Sequence, residues 1–406
     1  MMEMVEMRDD LDKILAERGA EALLLYSESF KNPNMYYLTR FLAPDPFIYL
    51  KRLNEPPTAV VDPMEFSRAQ KESTVRDVRS YVDYNYVEVI KAAEDPRLGV
   101  LKFLASVATK ELGKRTLISV PSNFPAMATD VLRGEGLTIR PMFNVIEKAR
   151  ETKGPEEIKE IKEVQKVAEK AISKAIDLIA NCAVGPNGTL THKVDGKRKP
   201  LTVAYVRAAL AHLFLDGWCS AEEELVVACG PASADPHYHG NPEDRLKADQ
   251  PIVLDIYPRS IRKRYWSDMT RTVVKGRASE KVRGMFNAVL EAKDTCIDAL
   301  HDGVMGSDMF NLCCDILERA GYATVRGGKK IDRGFTHSLG HGVGLEVHES
   351  PTMSELYRFP LNENSVVTVE PGLYDPKVGG VRVEDIVVVT KKGCIDLTKL
   401  LTYLEI

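Results

Sequence analysis

FTHSLGHGVGLEVHE, Phe335 to Glu349, sets three histidines (His337, His341 and His348) among Gly340, Gly342 and Gly344. A backbone without Cβ passes close to a ligand and takes up positive φ, so the glycines suit a loop or strand pressed against a site. Working outward, acidic residues cluster in the same half of the chain. Upstream are Asp255 and Asp268, in LDIYPRSIRKRYWSDMTRT; downstream are Glu370, in VVTVEPGLY, and Glu384, in GGVRVEDIVVV. The runs PIVLD, SVVTVE and VRVEDIVVV are rich in Val and Ile and read as strands that carry an acid at or near one end. A carboxylate at the end of a buried strand is costly to desolvate unless it is paired or binds metal. One such acid is an ordinary strand-end residue. Four of them, with an imidazole between, describe a site for two divalent cations of hard to borderline character.

Strand periodicity adds detail. Arg382 and Glu384 are two residues apart and project from one face, as do Asp268, Thr270 and Thr272. Thr270 is thereby placed to hydrogen-bond a ligating carboxylate. Arg382 is placed to hold Glu384 or to meet a substrate carboxylate, with an ordinary buried ion pair as the equal alternative. His192, His212 and His301 lie outside any such context and read as surface or packing residues.

With these residues in view, the chain resembles the pita-bread metallopeptidases: Xaa-Pro dipeptidase (prolidase), aminopeptidase P and, more distantly, methionine aminopeptidase. HSLGHGVGLEVHE is close to the prolidase and aminopeptidase P signature, and SDMTRT, VEPGLY and GGVRVED match the remaining blocks in the family's order. The resemblance implies one metal held by Asp255, Asp268 and Glu384, and another by Asp268, His341, Glu370 and Glu384. Asp268 and Glu384 would then bridge. It implies Glu370, His237, His337 and His348 as catalytic groups, with Arg382, His348 and His237 on the substrate. His239, two residues beyond His237, competes for that place. Two features depart from the family pattern. The Asp255–Asp268 connection is about two residues longer, an even insertion that preserves strand phase. The stretch NCAVGPNGTLTHKVDGKRKP, residues 181–200, reads as an inserted hairpin or loop near the mouth of the site.

A chain of 406 residues favours two domains. Net charge is −4 with mixed signs, which speaks against nucleic-acid or membrane binding as a main role. MMEMVEMRDDLDKIL reads as an acidic helix rather than a leader, and no apolar run approaches a membrane span. The seven cysteines include no CxxC pair and suit reduced, buried thiols in a cytoplasmic protein.

Residues 1–148 alternate helix and strand patterns and form an α/β domain with no glycine phosphate loop. FLAPDPFIYL, residues 41–50, reads either as a loop over a cleft or interface, or as a core strand. Pro155 followed by Glu156 and Glu157 starts a helix on which Ile158, Ile161, Val164, Ala168, Ile172 and Ile176 keep helical spacing. Residues 149–406 then show a weak internal duplication, in which a helix, glycine turn and helix lead twice into strands and a histidine. The expected fold is α+β: a pita-bread catalytic domain preceded by the smaller α/β domain.

The resemblance further implies hydrolysis of the bond before proline by water activated between two metal ions. Mn or Co suits the oxygen-rich ligand set best, and Fe or Zn stays open. A small peptide is the expected substrate, and a homodimer the expected assembly. Competing readings are a metal-dependent lyase or an amidinohydrolase on the same fold, a methionine aminopeptidase, and a binding protein. Retention of all five ligand types disfavours the amidinohydrolase and binding readings. The long N-terminal domain disfavours methionine aminopeptidase.

Overall fold

The computed structural model describes residues 10–406. The chain divides into two compact units, the first ending at Arg150 and the second running from Glu151 to Ile406. The proposed N-terminal helix is seen as Asp10–Glu17, and residues 1–9 of that reading lie outside the described residues.

The first unit is a six-stranded mixed sheet in the order Asp77–Ser80, Thr58–Val61, Phe47–Arg52, Ala22–Ser27, Leu117–Pro121, Thr138–Met142. Its apolar runs bury both faces by simple alternation. Leu23 and Leu25 join Phe47, Tyr49 and the helix residues Leu11 and Leu15 on one side. Ala22 and Leu24 join Ile48, Leu50, Phe103 and Leu104 on the other. Three helices start with the same device. Asn32, Asp62 and Asp95 each accept a backbone N–H, from Met35, Met64 and Arg97, and each precedes a proline. That proline forgoes a donor the first helical turn cannot use. Within FLAPDPFIYL, Phe47–Arg52 is an interior strand, and Phe41 and Ala43 are each 1% exposed. The core-strand reading holds for Phe47–Leu50, while Pro44, Asp45 and Pro46 before it are exposed.

The second unit repeats one plan twice. Helices Pro155–Ala180 and Val203–Asp216 pack on the antiparallel strands Val226–Cys229, Ile252–Ile256 and Met269–Val273. Helices Glu280–Ala299 and Gly306–Arg319 pack against the set that includes Gly340–Gly342, Val366–Val369 and Asp385–Thr390. The two strand sets are stitched together along Met269–Val273. Glu384 N donates to Thr270 O at 3.2 Å, and the Thr272 hydroxyl donates to Arg382 O at 2.8 Å. Residues 181–200 form a small antiparallel sheet of Ala183–Val184, Leu190–Val194 and Lys197–Pro200.

Two glycines of the opening stretch are steric necessities. A Cβ on Gly340 would lie 2.1 Å from Thr368 O, and one on Gly342 would lie 2.5 Å from Ser350 O. Both clashes are with backbone, which cannot swing aside. Gly342→Ala is therefore expected to cost about 2 kcal/mol or more, read as a lowered denaturation midpoint. A midpoint equal to that of the parent chain would show that these strands move apart freely.

Candidate metal centre and active site

Strand register explains why residues distant in sequence meet. Asp255 lies opposite Thr270 across the antiparallel pair Ile252–Ile256 and Met269–Val273. Asp268 is two residues before Thr270 and so shares its face. Glu384 enters beside them through its backbone bond to Thr270. From the other strand set come His341, on Gly340–Gly342, and Glu370, just past Val366–Val369. All five line one cavity of about 380 Å³, together with His237, His239, His337, His348, Arg382, Glu223 and Tyr257.

Three of the five offer ligand atoms that all lie within 4.8 Å of one another: Asp268, His341 and Glu384. His341 Nε2 is 3.1 Å from Glu370 Oε1 and 3.6 Å from Asp268 Oδ2. Its Nδ1 is 3.1 Å from the Gly342 carbonyl, which can only accept, so the proton sits on Nδ1 and Nε2 faces the acids. A second threonine supports this side. Thr368 accepts from His341 N at 3.0 Å, and its hydroxyl donates to Glu370 at 3.1 Å. Thr270 plays the matching part. Its oxygen accepts from Arg382 Nε at 3.2 Å and lies 2.8 Å from both Asp255 Oδ1 and Glu384 Oε2, so its single proton serves one acid at a time.

The charge balance points to cations. Asp268 is 5% exposed and Glu384 2%. Burial, followed by the charge of neighbouring carboxylates, pushes both well above the usual carboxylate range. Burial alone would lower His341, but the hydrogen bond and charge of Glu370 and the charge of Asp268 override it and raise the imidazole. The same contact lowers Glu370 against its own burial. Acids so placed cannot all ionise together without positive charge beside them. The donor set, oxygen-rich with one imidazole, fits divalent metal ions.

Arg382 does not pair with Glu384. Its Nη2 lies 2.5 Å from Asp255 Oδ2, its Nη1 donates to the Tyr374 hydroxyl at 2.7 Å, and its Nε to Thr270. The ion-pair alternative thus describes the observed state, with Asp255 as the partner. Tyr374 in turn lies 2.9 Å from His337 Nε2, while His337 Nδ1 is 2.7 Å from Ser338 O. Both nitrogens of His337 are engaged, and burial, its largest influence, lowers its pKa. His348 packs edge-on to His341 with ring centroids 4.3 Å apart, and burial first, then the charge of His341, lowers it. His239 Nδ1 is 3.6 Å from the Glu224 carboxylate, which leaves the exposed His237 as the freer of the two.

Sequence reading overlooked Thr368, Tyr374, Glu223 and Tyr257. Thr368 carried a signal, since it stands two residues before Glu370 on one strand face, as Thr270 stands two after Asp268. Tyr374 ends the quoted VEPGLY, but nothing local says that its hydroxyl reaches Arg382 and His337. None of residues 181–200 is among those lining the cavity.

Residues 159–391 match the model of metallopeptidase family M24, and residues 7–124 match the creatinase/prolidase N-terminal domain. An Xaa-Pro dipeptidase of Pyrococcus horikoshii is 30% identical over 370 residues, 91% of each chain. One of Pyrococcus furiosus is 31% identical over 77% of this chain and 82% of its own. Among solved structures, the prolidase of P. horikoshii superposes with a TM-score of 0.74 at 27% identity, covering 98% of this chain and 99% of that one. An Xaa-Pro dipeptidase from Bacillus anthracis gives 0.78 at 25% identity, covering 98% of both. With its acids and imidazole gathered around one cavity and the family model spanning that whole region, this chain belongs to metallopeptidase family M24 and carries a creatinase/prolidase N-terminal domain before the catalytic one.

Proposed function

We propose that this protein hydrolyses the bond between an N-terminal residue and proline, using a pair of divalent cations. The observation that carries the reading is the convergence of Asp255, Asp268, His341, Glu370 and Glu384 on one cavity whose wall also bears His237 and His348. Asp268 and Glu384, the most deeply buried of the four site acids, suit the shared ligand positions. When bound, such cations polarise a carbonyl and lower the pKa of water toward neutrality. Glu370 is held by Thr368 on one side and His341 on the other, and is placed to take a proton and pass it to the leaving nitrogen. His348 and His237 are placed to hydrogen-bond the developing oxyanion. Arg382 pairs with Asp255 and orients it, and its place in the cavity wall leaves it a candidate for a substrate carboxylate as well.

Preference for proline is supported by the relatives named as Xaa-Pro dipeptidases and by the histidine pattern. An Xaa-Pro bond is a tertiary amide with no N–H, so recognition rests on ring shape and the carbonyl. Mn or Co is the proposed metal. The homodimer and a cytoplasmic setting belong to the same reading. All seven cysteines are free, which suits a reducing compartment, and no helix among the described residues is long and apolar enough to cross a membrane. Light scattering on the purified protein at micromolar concentration reads the dimer directly.

Chelation should abolish hydrolysis, with Mn or Co restoring it, and Asp268→Ala or Glu384→Ala should be nearly inactive. Full activity in demonstrably metal-free protein would overturn the proposal. Glu370→Gln should retain much of the metal yet lose about 10²-fold in rate; an unchanged rate would move the proton-transfer role to another group. On a panel of Xaa-Pro dipeptides, Xaa-Pro-Yaa tripeptides, Xaa-Ala and Met-leading peptides, the proline substrates should lead by about tenfold or more. Equal cleavage of Xaa-Ala would remove the specificity while leaving the hydrolase.

A further inference from the structure

We propose that buried Lys153 is a positioning residue for His348, acting through Glu349; this rests on the reading of His348 as a group that meets the substrate. The segment 343–348 belongs to no helix or strand, so no regular ladder sets the place of His348. It is fastened instead by individual contacts. Trp266 N donates to Gly344 O at 2.8 Å, and the indole Nε1 donates to Leu345 O at 3.1 Å. Val343 N donates to Val366 O at 3.0 Å.

The end next to His348 is held by strand pairing and by charge, since Glu349 opens the strand Glu349–Met353 opposite Gly342. Glu349 turns its carboxylate back over its own segment and accepts from Glu346 N at 3.3 Å. The fold-back is tight, since a Cβ on Gly344 would lie 2.2 Å from Glu349 Oε1. Lys153 Nζ meets that same oxygen at 2.8 Å, with the two side chains 2% and 7% exposed. Lys153 is itself fixed: its N donates to Asn364 O at 2.9 Å, and its ammonium donates to Glu151 O at 3.3 Å. Asn364 leads into the strand Val366–Val369, which Glu370 directly follows. Lys153 therefore references the His348 segment to the strand that leads to the proposed proton shuttle.

A buried ion pair contributes little net stability over an apolar pair of equal volume, because desolvation offsets the attraction. Its value here is geometric, since one ammonium and one carboxylate fix a distance that an apolar contact leaves loose. His341 does not depend on this pair, being held by Thr368 and by Gly342 O. Metal retention and the position of His348 are thus separable.

The test is a double-mutant cycle on kcat/KM for an Xaa-Pro dipeptide, using full-length Mn-loaded protein with bound metal measured in each variant. Lys153→Met and His348→Ala should each lower kcat/KM about tenfold or more, and the double variant should fall within about twofold of His348→Ala. Lys153→Arg should recover most of the loss, and bound metal should be unchanged throughout. Should Lys153→Met fail to fold, Glu349→Gln takes its place in the same cycle. Multiplicative losses, a Lys153→Met rate within about twofold of the parent, or loss of metal in Lys153→Met would each overturn the positioning role alone. An unchanged rate in His348→Ala would instead remove the function assigned to His348, and the proposal with it.

Discussion

Several carboxylates withdrawn from water into one cavity form the constraint on which the rest of the catalytic unit depends. Isolated buried carboxylates bear a large desolvation cost, and neighbouring ones repel. Arg382 compensates Asp255, and His341 compensates Glu370. Asp268 and Glu384 remain without an equal cation among the described side chains, and their carboxyls are pushed up accordingly. Divalent cations resolve that imbalance. A cluster that would destabilise a fold with no metal-binding role is what a metallopeptidase keeps ready.

Holding such a cluster open takes rigid support from both strand sets. The two helix pairs bury apolar faces against the strands and fix where each strand ends. At the seam, paired backbone and threonine contacts join Met269–Val273 to residues 382–384. Behind the site, Arg271 donates to the carbonyls of Thr270 and Glu384 and pairs with Asp385 at 2.8 Å. Lys293 also reaches Asp385, so the residue next to Glu384 is anchored from the far side of the sheet. Asp255, Glu384 and Glu370 thus each lie within hydrogen-bonding distance of a threonine hydroxyl, and Asp268 stands two residues before one of those threonines. The glycines near His341 let the strands approach to contact distances that any Cβ would forbid.

The cavity wall includes side chains beyond the four acids and one imidazole of the proposed ligand set. Glu223, Tyr257, His237, His239 and Val347 line it, and none of residues 181–200 does. Glu224 is drawn toward His239 and Arg207. These wall residues lie between the strands, as do Asp268, Glu370 and Glu384, each one residue from a strand end, whereas Asp255 and His341 lie on strands.

Sequence alone picked out the proposed ligand residues, the strand character around them and the helix start at Pro155. Those depend on local rules: period-two alternation, Pro followed by acids in a first helical turn, and acids closing Val-rich runs. The facing of Thr270 toward the acids was legible for the same reason. Tertiary structure decided the rest. The FIYL of FLAPDPFIYL could be a cleft loop or a core strand until Phe47–Arg52 was seen between two neighbours, because an apolar run looks alike in either setting. Arg382 could serve Glu384 by its spacing, yet it pairs with Asp255 across the seam. Tyr374, Thr368 and Lys153 take their roles from partners on other strands. Lys153 and Glu349 lie almost two hundred residues apart, and only packing decides that a buried ammonium meets that carboxylate. Side-chain chemistry is written locally, whereas pairing is a property of the folded space between elements.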